Sequence, residues 1–544
     1  MKPTTLGCQS GRAGLPDRNR PWLTALGTGR TLTPMLLALR DQVLRIALRP
    51  VDVVLRLIGP SYTLFIWLFR VVPASMIAWL GRVRAVRACN AAYRNVPAYR
   101  SFLESSRVTA SDRARLAIPP TDKENYIKAY RFDHRCVGGA IPTHDVAIDE
   151  SSGSTGTPYN WIRSLRERQT SHLFVSHFAR YTFGTEPWIT INAFSMGAWA
   201  TGVNMGIALQ RNSMVKNTGP DLNKIFGTLE YFGPGYRYLV CGYPPFLKHL
   251  IDSARDRGFP LEQFHLMALL GGEGNSEGLR DYLATHFRKI YSGYGATDIE
   301  IGIAGETPIS LAIRRTARRN PALRESLFGA ASRLPMVFQY NPLMHHIVTN
   351  EIGELMFTIS RLNILSPRIM YNIHDEGGVA TWADMVDRAR RAGVALGDLV
   401  APPENRPVPL PFLWVYGRKD STVSVMGANI YPEDLEQCLY EEVELARVTH
   451  SFCLGLHEGD GGATRPRLSF EVTAAITPEL QALFELRMTQ RLVTLNADFR
   501  EAMSEFAASA TPVIELFSVG TGPFSADSGR IKQARMSARR ADTP

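Results

Sequence analysis

The sequence predicts an α/β protein of layered sheets and helices, with a second, smaller α+β unit at its C-terminal end. Three observations predict it. Short apolar runs alternate with helical patterns in PWITINAF, YRYLVCGYPPFLKHLIDSARDRG and FHLMALLGGEG. From about residue 335 the runs turn to a β pattern, in MVFQYNP, MHHIVTN, GELMFTIS and RIMYNIHDEGGVATW. Past residue 420 a fresh set begins, with a helix at PEDLEQCLYEEV and strands at THSFCLGLH and RLSFEVTA. A chain of 544 residues exceeds what one core holds, and a 45% hydrophobic composition suffices for burial in both units.

Taken in order, residues 1–33 form a leader rich in Gly, Pro, Thr and Arg, without the compact apolar stretch of a secretory signal, and they read as mobile. Residues 34–90 read as a basic, hydrophobic helical extension. In TPMLLALRDQVLRIALRPVDVVLRLIG, Arg45, Arg49 and Arg56 fall within about 40° on a helical wheel, with Leu and Val around the rest. The stretch at 61–80, SYTLFIWLFRVVPASMIAWL, has the length of a membrane span but carries Arg70 and Pro73; an arginine at mid-bilayer costs roughly 2.5–3.5 kcal/mol. Two readings stay open for 34–80: peripheral attachment to a membrane, with apolar residues in the lipid boundary, or packing on a core or a homodimer interface. Breaks are expected at Pro50 and Pro73.

The net charge of +10 is placed unevenly. Residues 1–100 hold 15 Lys and Arg against 3 Asp and Glu, a net +12, which leaves −2 for the other 444. The body therefore lacks the basic surface that nucleic-acid binding needs. Six cysteines, at 8, 89, 136, 241, 438 and 453, form no C-x-x-C pair, which disfavours a disulfide framework and a zinc site. A cytoplasmic setting fits, with the inner face of the membrane as the place of any peripheral contact.

The body is expected over 91–419, interrupted at 304–334 by a basic helical insert, LAIRRTARRNPALRESLFGAASR, read as a solvated face or a partner surface. A proline-dense connector, APPENRPVPLP, follows at 401–411, and the C-terminal unit spans 420–544.

The stretch SSGSTGTP, 151–158, lacks the lysine of a Walker loop. Ser151, Ser152, Ser154, Thr155 and Thr157 nonetheless offer hydroxyls, and Gly153 and Gly156 let backbone N–H groups approach an anion. The alternative is a surface linker. Four further segments follow in order: GGEGNSEGLRDYL at 271–283, YGATD at 294–298, YNIHDEG at 371–377 and GRKDSTVSVMGANIYPEDLE at 417–436.

Together these five resemble the motifs of the adenylate-forming superfamily of acyl-CoA synthetases, nearest to its phenylacetate–CoA ligase branch, from Asn95 to the C-terminus. The resemblance implies a large N-terminal adenylate-forming domain and a mobile C-terminal domain on a hinge. It implies that Ser151, Ser152, Gly153, Ser154, Thr155 and Gly156 handle the ATP β- and γ-phosphates. Gly272 and Glu273 would line the adenine pocket with Tyr294 and Gly295, Tyr294 stacking on the base. Thr297 would bond the α-phosphate and Asp298 would assist Mg²⁺. Asp375 would grip the ribose hydroxyls, Arg418 would hold ribose and phosphate, Asp420 would be the hinge, and Gly427 would turn toward the thioester-forming site.

Two departures from the family pattern follow. The acidic residue of the YGxTE pattern is Asp298, one methylene shorter, which brings Glu300 in as an alternative metal contact. The usual C-terminal glycine–lysine pair reads GRIK, with Arg530 at the expected place and Lys532 two residues on, on the same side of an extended segment. The implied reaction activates a carboxylic acid with ATP and passes the acyl group to coenzyme A, or alternatively to a carrier-protein thiol or an amine. A third reading is a catalytically weak nucleotide-binding or membrane scaffold protein. Phe194, Met196, Trp199 and Tyr243 would line an apolar acyl pocket suited to an aryl or fatty monocarboxylate.

Overall fold

The computed structural model describes residues 34–150, 159–198, 200–329, 333–400, 407–418, 423–425, 428–458, 464–505, 507–525 and 536. Its centre is an eleven-stranded sheet. One half is parallel, in the order Met214–Asn217, Ile189–Asn192, Arg237–Gly242, His265–Leu270 and Phe287–Ala296. The other half is antiparallel and continues through Glu300–Gly305, Met336–Tyr340, Phe412–Arg418, Tyr371–Ala380, Glu354–Ile359 and His345–Thr349. Strand Phe287–Ala296 is the joint, parallel to one neighbour and antiparallel to the other.

The parallel strands are apolar on both faces because helices cover both. In His265–Leu270, Leu266, Ala268 and Leu270 pack toward helices Leu222–Phe232 and Pro244–Asp256, while Met267 and Leu269 pack toward helix Leu165–Phe183. This is the two-residue alternation of a pleated strand. On the antiparallel half, Phe338, Phe357 and Tyr371 share a core with helices Ala74–Asn95 and Pro97–Ser105.

The basic stretch after residue 304 forms helices Pro308–Arg319 and Pro321–Phe328, and it belongs to the core rather than decorating it. Ile309, Ile313, Ala317, Leu323 and Leu327 are buried against Val337, Phe412 and Trp414. Its arginines divide: Arg315 and Arg319 face solvent, whereas Arg314 is buried.

The front end comprises helices Pro34–Ile58, Tyr62–Val71 and Ala74–Asn95. The chain breaks at Pro73, but the first helix runs on through Pro50, contrary to the expected break there. Asp41 pairs with Arg94, and Asp52 with Arg84 and Arg87, so the first helix is tied along its length to the third. Among the described residues no single helix is long and apolar enough to cross a membrane. The second and third helices pass that test only as a pair, bent by 109°. The five described cysteines form no disulfide with one another, and all are buried.

The C-terminal unit is a small α+β body. A hairpin of Val423–Val425 and Ala428–Ile430 precedes helix Pro432–Glu441. Strands Thr449–Glu458, Thr464–Val472 and Val513–Ser518 then form a sheet around Phe452, Phe470 and Phe484.

Candidate active site

An apolar cavity opens at the carboxyl ends of the parallel strands, beside the joint strand. This is the topological switch point at which open α/β sheets take their ligands. Phe194 follows Ile189–Asn192, Tyr243 follows Arg237–Gly242, Gly271 and Gly272 follow His265–Leu270, and Gly293 to Ala296 belong to the joint strand itself. Phe194 and Tyr243 meet edge to face, with centroids 5.2 Å apart. Burial, then the nearby Glu273, pushes the Tyr243 phenol up to about 12, so it stays a neutral donor.

The outer wall comes from two helices, of which Leu165–Phe183 was not anticipated from the sequence. Phe174, Val175 and Phe178 of Leu165–Phe183 and Met205 of Ala200–Leu209 all line the cavity. Gly302 and Gly305 of the facing strand make room, since a Cβ at either would run into Val175 or Phe178. The i, i+4 spacing of Phe174 and Phe178 was the only sequence signal. Met196 does not line the cavity and lies beside Gly219 instead. Trp199 lies outside the described residues.

At the polar end the joint strand turns back through a tight hairpin, Ala296 pairing with Glu300. Thr297 sits in that turn and lines the cavity. Gly295 admits no side chain: a Cβ there would lie 2.9 Å from the Glu300 carbonyl oxygen. The Tyr294 hydroxyl donates to Asp375 Oδ2 at 2.6 Å, although 81 residues separate them. Asp375 in turn stands opposite Arg418 in the antiparallel ladder. Tyr294, Asp375 and the backbone of Arg418 are thus brought together. His374, just before Asp375, has a φ of 65°, a left-handed conformation rare for a residue with a side chain.

Asp298 accepts from the Tyr371 hydroxyl at 3.0 Å, and its carbonyl accepts from Arg368 Nε at 2.8 Å. Among the described residues no group of three or more His, Cys, Asp or Glu side chains could hold a metal. Asp298 offers a single carboxylate beside the Thr297 turn. Glu300, the alternative metal contact, is excluded by its partners. It is buried, with His345 Nε2 and Arg361 each 2.5 Å from one of its oxygens.

The stretch 151–158, with Ser151, Ser152, Gly153, Ser154, Thr155 and Gly156, lies outside the described residues. Its flanks are paired strands Val146–Glu150 and Asn160–Ser164, and Glu150 lines the cavity as the one formally charged residue among the described lining. Arg163 is a residue the sequence reading missed. Its guanidinium donates to the carbonyls of Thr297 and of Ile299 (2.6 Å to the latter) and reaches Asp149 Oδ2 at 3.2 Å. It ties the strand entering 151–158 to the Thr297 turn. Nothing in its sequence surroundings, WIRS, signals this.

The small unit docks beside this site. Glu436 Oε2 accepts from the Ser276 N–H at 2.6 Å and Gln437 Oε1 from the Gly278 N–H at 3.0 Å, so they cap the helix that follows the GGEG loop. A Cβ at Gly278 would meet Tyr440 at 2.8 Å. Behind this contact lies a buried ion network, Arg280 to Glu306 at 2.6 Å and Arg314 to Glu277 at 2.8 Å. Asp420, Gly427, Arg530, Lys532 and the Arg418 side chain lie outside the described residues.

No protein-family model matches the chain, and no curated protein sequence matches it. Solved structures do. The chain is similar to 2-hydroxyisobutyryl-CoA ligase in the postadenylation state, in complex with R3-HIB-AMP or with 2-HIB-AMP; each comparison gives 14% identity, covers 86% of this chain and 91% of that one, and has a TM-score of 0.62. Against the thioesterification state of that ligase, with 2-HIB-AMP and CoA, identity is again 14%, coverage 86% and 90%, and the TM-score 0.50. The likeness is one of fold: the chain has the α/β fold of an adenylate-forming enzyme, with a small C-terminal domain.

Proposed function

We propose that the chain is an ATP-dependent, AMP-forming ligase that activates an apolar aryl or fatty monocarboxylate and transfers the acyl group to coenzyme A. The observation that carries this reading is the meeting, at the joint strand, of an apolar cavity with Tyr294, Asp375 and the backbone of Arg418. The cavity accepts the acyl chain and leaves its carboxylate at the Thr297 end. Asp375, already a hydrogen-bond acceptor, takes the ribose hydroxyls, and a carboxylate facing a vicinal diol gains two charge-assisted bonds. Tyr294 presents its ring to the adenine beside Gly272. Within the adenylate-forming enzymes, the five motifs resemble most nearly those of the phenylacetate–CoA ligase branch.

Adenylation is needed because a carboxylate has a poor leaving group. Its oxygen attacks the α-phosphorus, the bond to the bridging oxygen breaks, and pyrophosphate leaves with that electron pair. Charge spreads over phosphate oxygens in this step, so hydroxyls, backbone N–H groups and a cation lower its barrier. Thr297, the 151–158 stretch and Lys532 or Arg530 are the groups we assign to that work. A divalent cation bound to the phosphates would neutralise charge there, with Asp298 as its protein contact. The thiol of coenzyme A then attacks the acyl carbon and AMP leaves.

Substrate-dependent exchange of labelled pyrophosphate into ATP tests the reading across a panel of apolar carboxylic acids. We expect exchange with at least one aryl or fatty acid, and Asp375→Asn to lower kcat/KM for ATP by about a hundredfold. No exchange with any acid removes adenylation. Exchange without CoA-dependent AMP release moves the acceptor to a carrier-protein thiol or an amine.

A further inference from the structure

Helix Pro34–Ile58 has three faces. Leu48, Asp52 and Leu55 turn toward the protein. Next to them on the wheel, at about 100° per residue, comes a row of exposed Arg45, Arg49 and Arg56. The remaining face holds Val43, Ile46, Val53, Val54 and Leu57, all exposed, Leu57 to 73%. The pattern continues beyond it. Leu64, Trp67 and Val71 of the second helix are exposed at i, i+3 and i+7, and Met76 and Trp79 of the third at i and i+3. Ten of the exposed large hydrophobic residues thus fall between 43 and 79, two of them tryptophans more than half exposed.

Charge decides what covers this surface. Between residues 42 and 100 the only acidic residue is Asp52, and Arg84 and Arg87 occupy it. A second copy would bring one arginine row against another with no free carboxylate between them, since Asp41 is held by Arg45 and Arg94. An anionic lipid surface complements both features, since acyl chains receive the apolar face and head groups the arginines. Exposed Trp side chains suit the same boundary. Crossing the bilayer is ruled out by the third helix, whose Ala85, Val86, Ala88, Cys89 and Ala92 lie in the core of the body.

We propose that the front end is a monotopic docking surface for an anionic lipid membrane, made by the solvent-facing apolar residues between 43 and 79 and their arginine edge. The inference is independent of the reaction assigned above.

Sedimentation of the full chain with vesicles tests it, using phosphatidylcholine alone or mixed with phosphatidylglycerol. The expected result is retention on the mixed vesicles, weakened by salt and much reduced on phosphatidylcholine alone. The double variants Trp67→Ala/Trp79→Ala and Arg49→Gln/Arg56→Gln should each lower affinity by about tenfold. Both leave the melting temperature unchanged, because the replaced side chains face solvent. Binding that ignores lipid charge, or double variants that bind as the parent does, overturns the proposal. So does a lipid-free dimer in sedimentation velocity that the tryptophan variant dissolves, which makes a second copy the occupant.

Discussion

Glu300 stands three residues beyond Thr297, in the strand that turns back from the cavity, and Arg361 and His345 take its two oxygens. Burial alone would raise its carboxyl, but Arg361 and His345 outweigh burial and hold it at about 2 against an ordinary 4.5. A carboxyl depressed by folding stabilises the folded chain fully above its unfolded value. That contribution, about 3 kcal/mol, is lost as pH falls from about 4.5 toward 2. Glu300→Gln should therefore cost roughly 3–5 kcal/mol at pH 7, because it strands a buried arginine. Denaturant midpoints at pH 7 and pH 3 check the sign: the gap between parent and variant narrows at pH 3, and a constant gap counts against it. Two residues of sequence separate Thr297 from this ion pair by one turn of a hairpin, which is why proximity in YGATDIE invited a metal role that the fold assigns to stability. Tyr294 and Asp375 were legible because each sits in a motif with its own glycines or polar neighbours. Arg163 and Phe178 were not, since their roles arise only when distant strands and helices pack against them.

Helix Glu277–Leu283 has seven residues and depends on borrowed partners. Its own Ser276 side chain caps one N–H, and Glu436 and Gln437 of the small unit cap two more. A short helix with a carboxylate at its positive end gains from both the hydrogen bond and the dipole. Glu436→Ala should leave the Ser276 N–H unpaired, at a cost of about 1–3 kcal/mol to docking, and faster amide exchange over 276–278 is the expected result. Unchanged exchange there would mean that Gln437 and Lys248, the latter bonded to the Thr449 carbonyl at 2.8 Å, hold the interface without Glu436. The periodicity of Pro308–Arg319 was readable as a helix, but its burial was not. Arginines read as solvent-facing by default, and only Glu277 and Glu306, packed against it within the body, reveal why Arg314 can be inside.

In the whole molecule, helix Leu165–Phe183 is shared property. One side supplies Phe174, Val175 and Phe178 to the cavity; the other packs His177 against Tyr62 and Phe65 and hydrogen-bonds the Gly59 carbonyl at 2.7 Å. Arg180 stacks over the Tyr62 ring at 5.0 Å. A single rod thus separates the cavity from the surface we assign to lipid. Reciprocity then applies: if filling the cavity shifts vesicle affinity by some factor, vesicles shift affinity for the cavity's ligand by that same factor. We expect a non-hydrolysable acyl-adenylate mimic to move the vesicle-binding midpoint, and superimposable titrations with and without it would show the rod to be rigid. Such coupling would make the proposed lipid surface an effector of whatever the cavity binds, and not only a place of attachment.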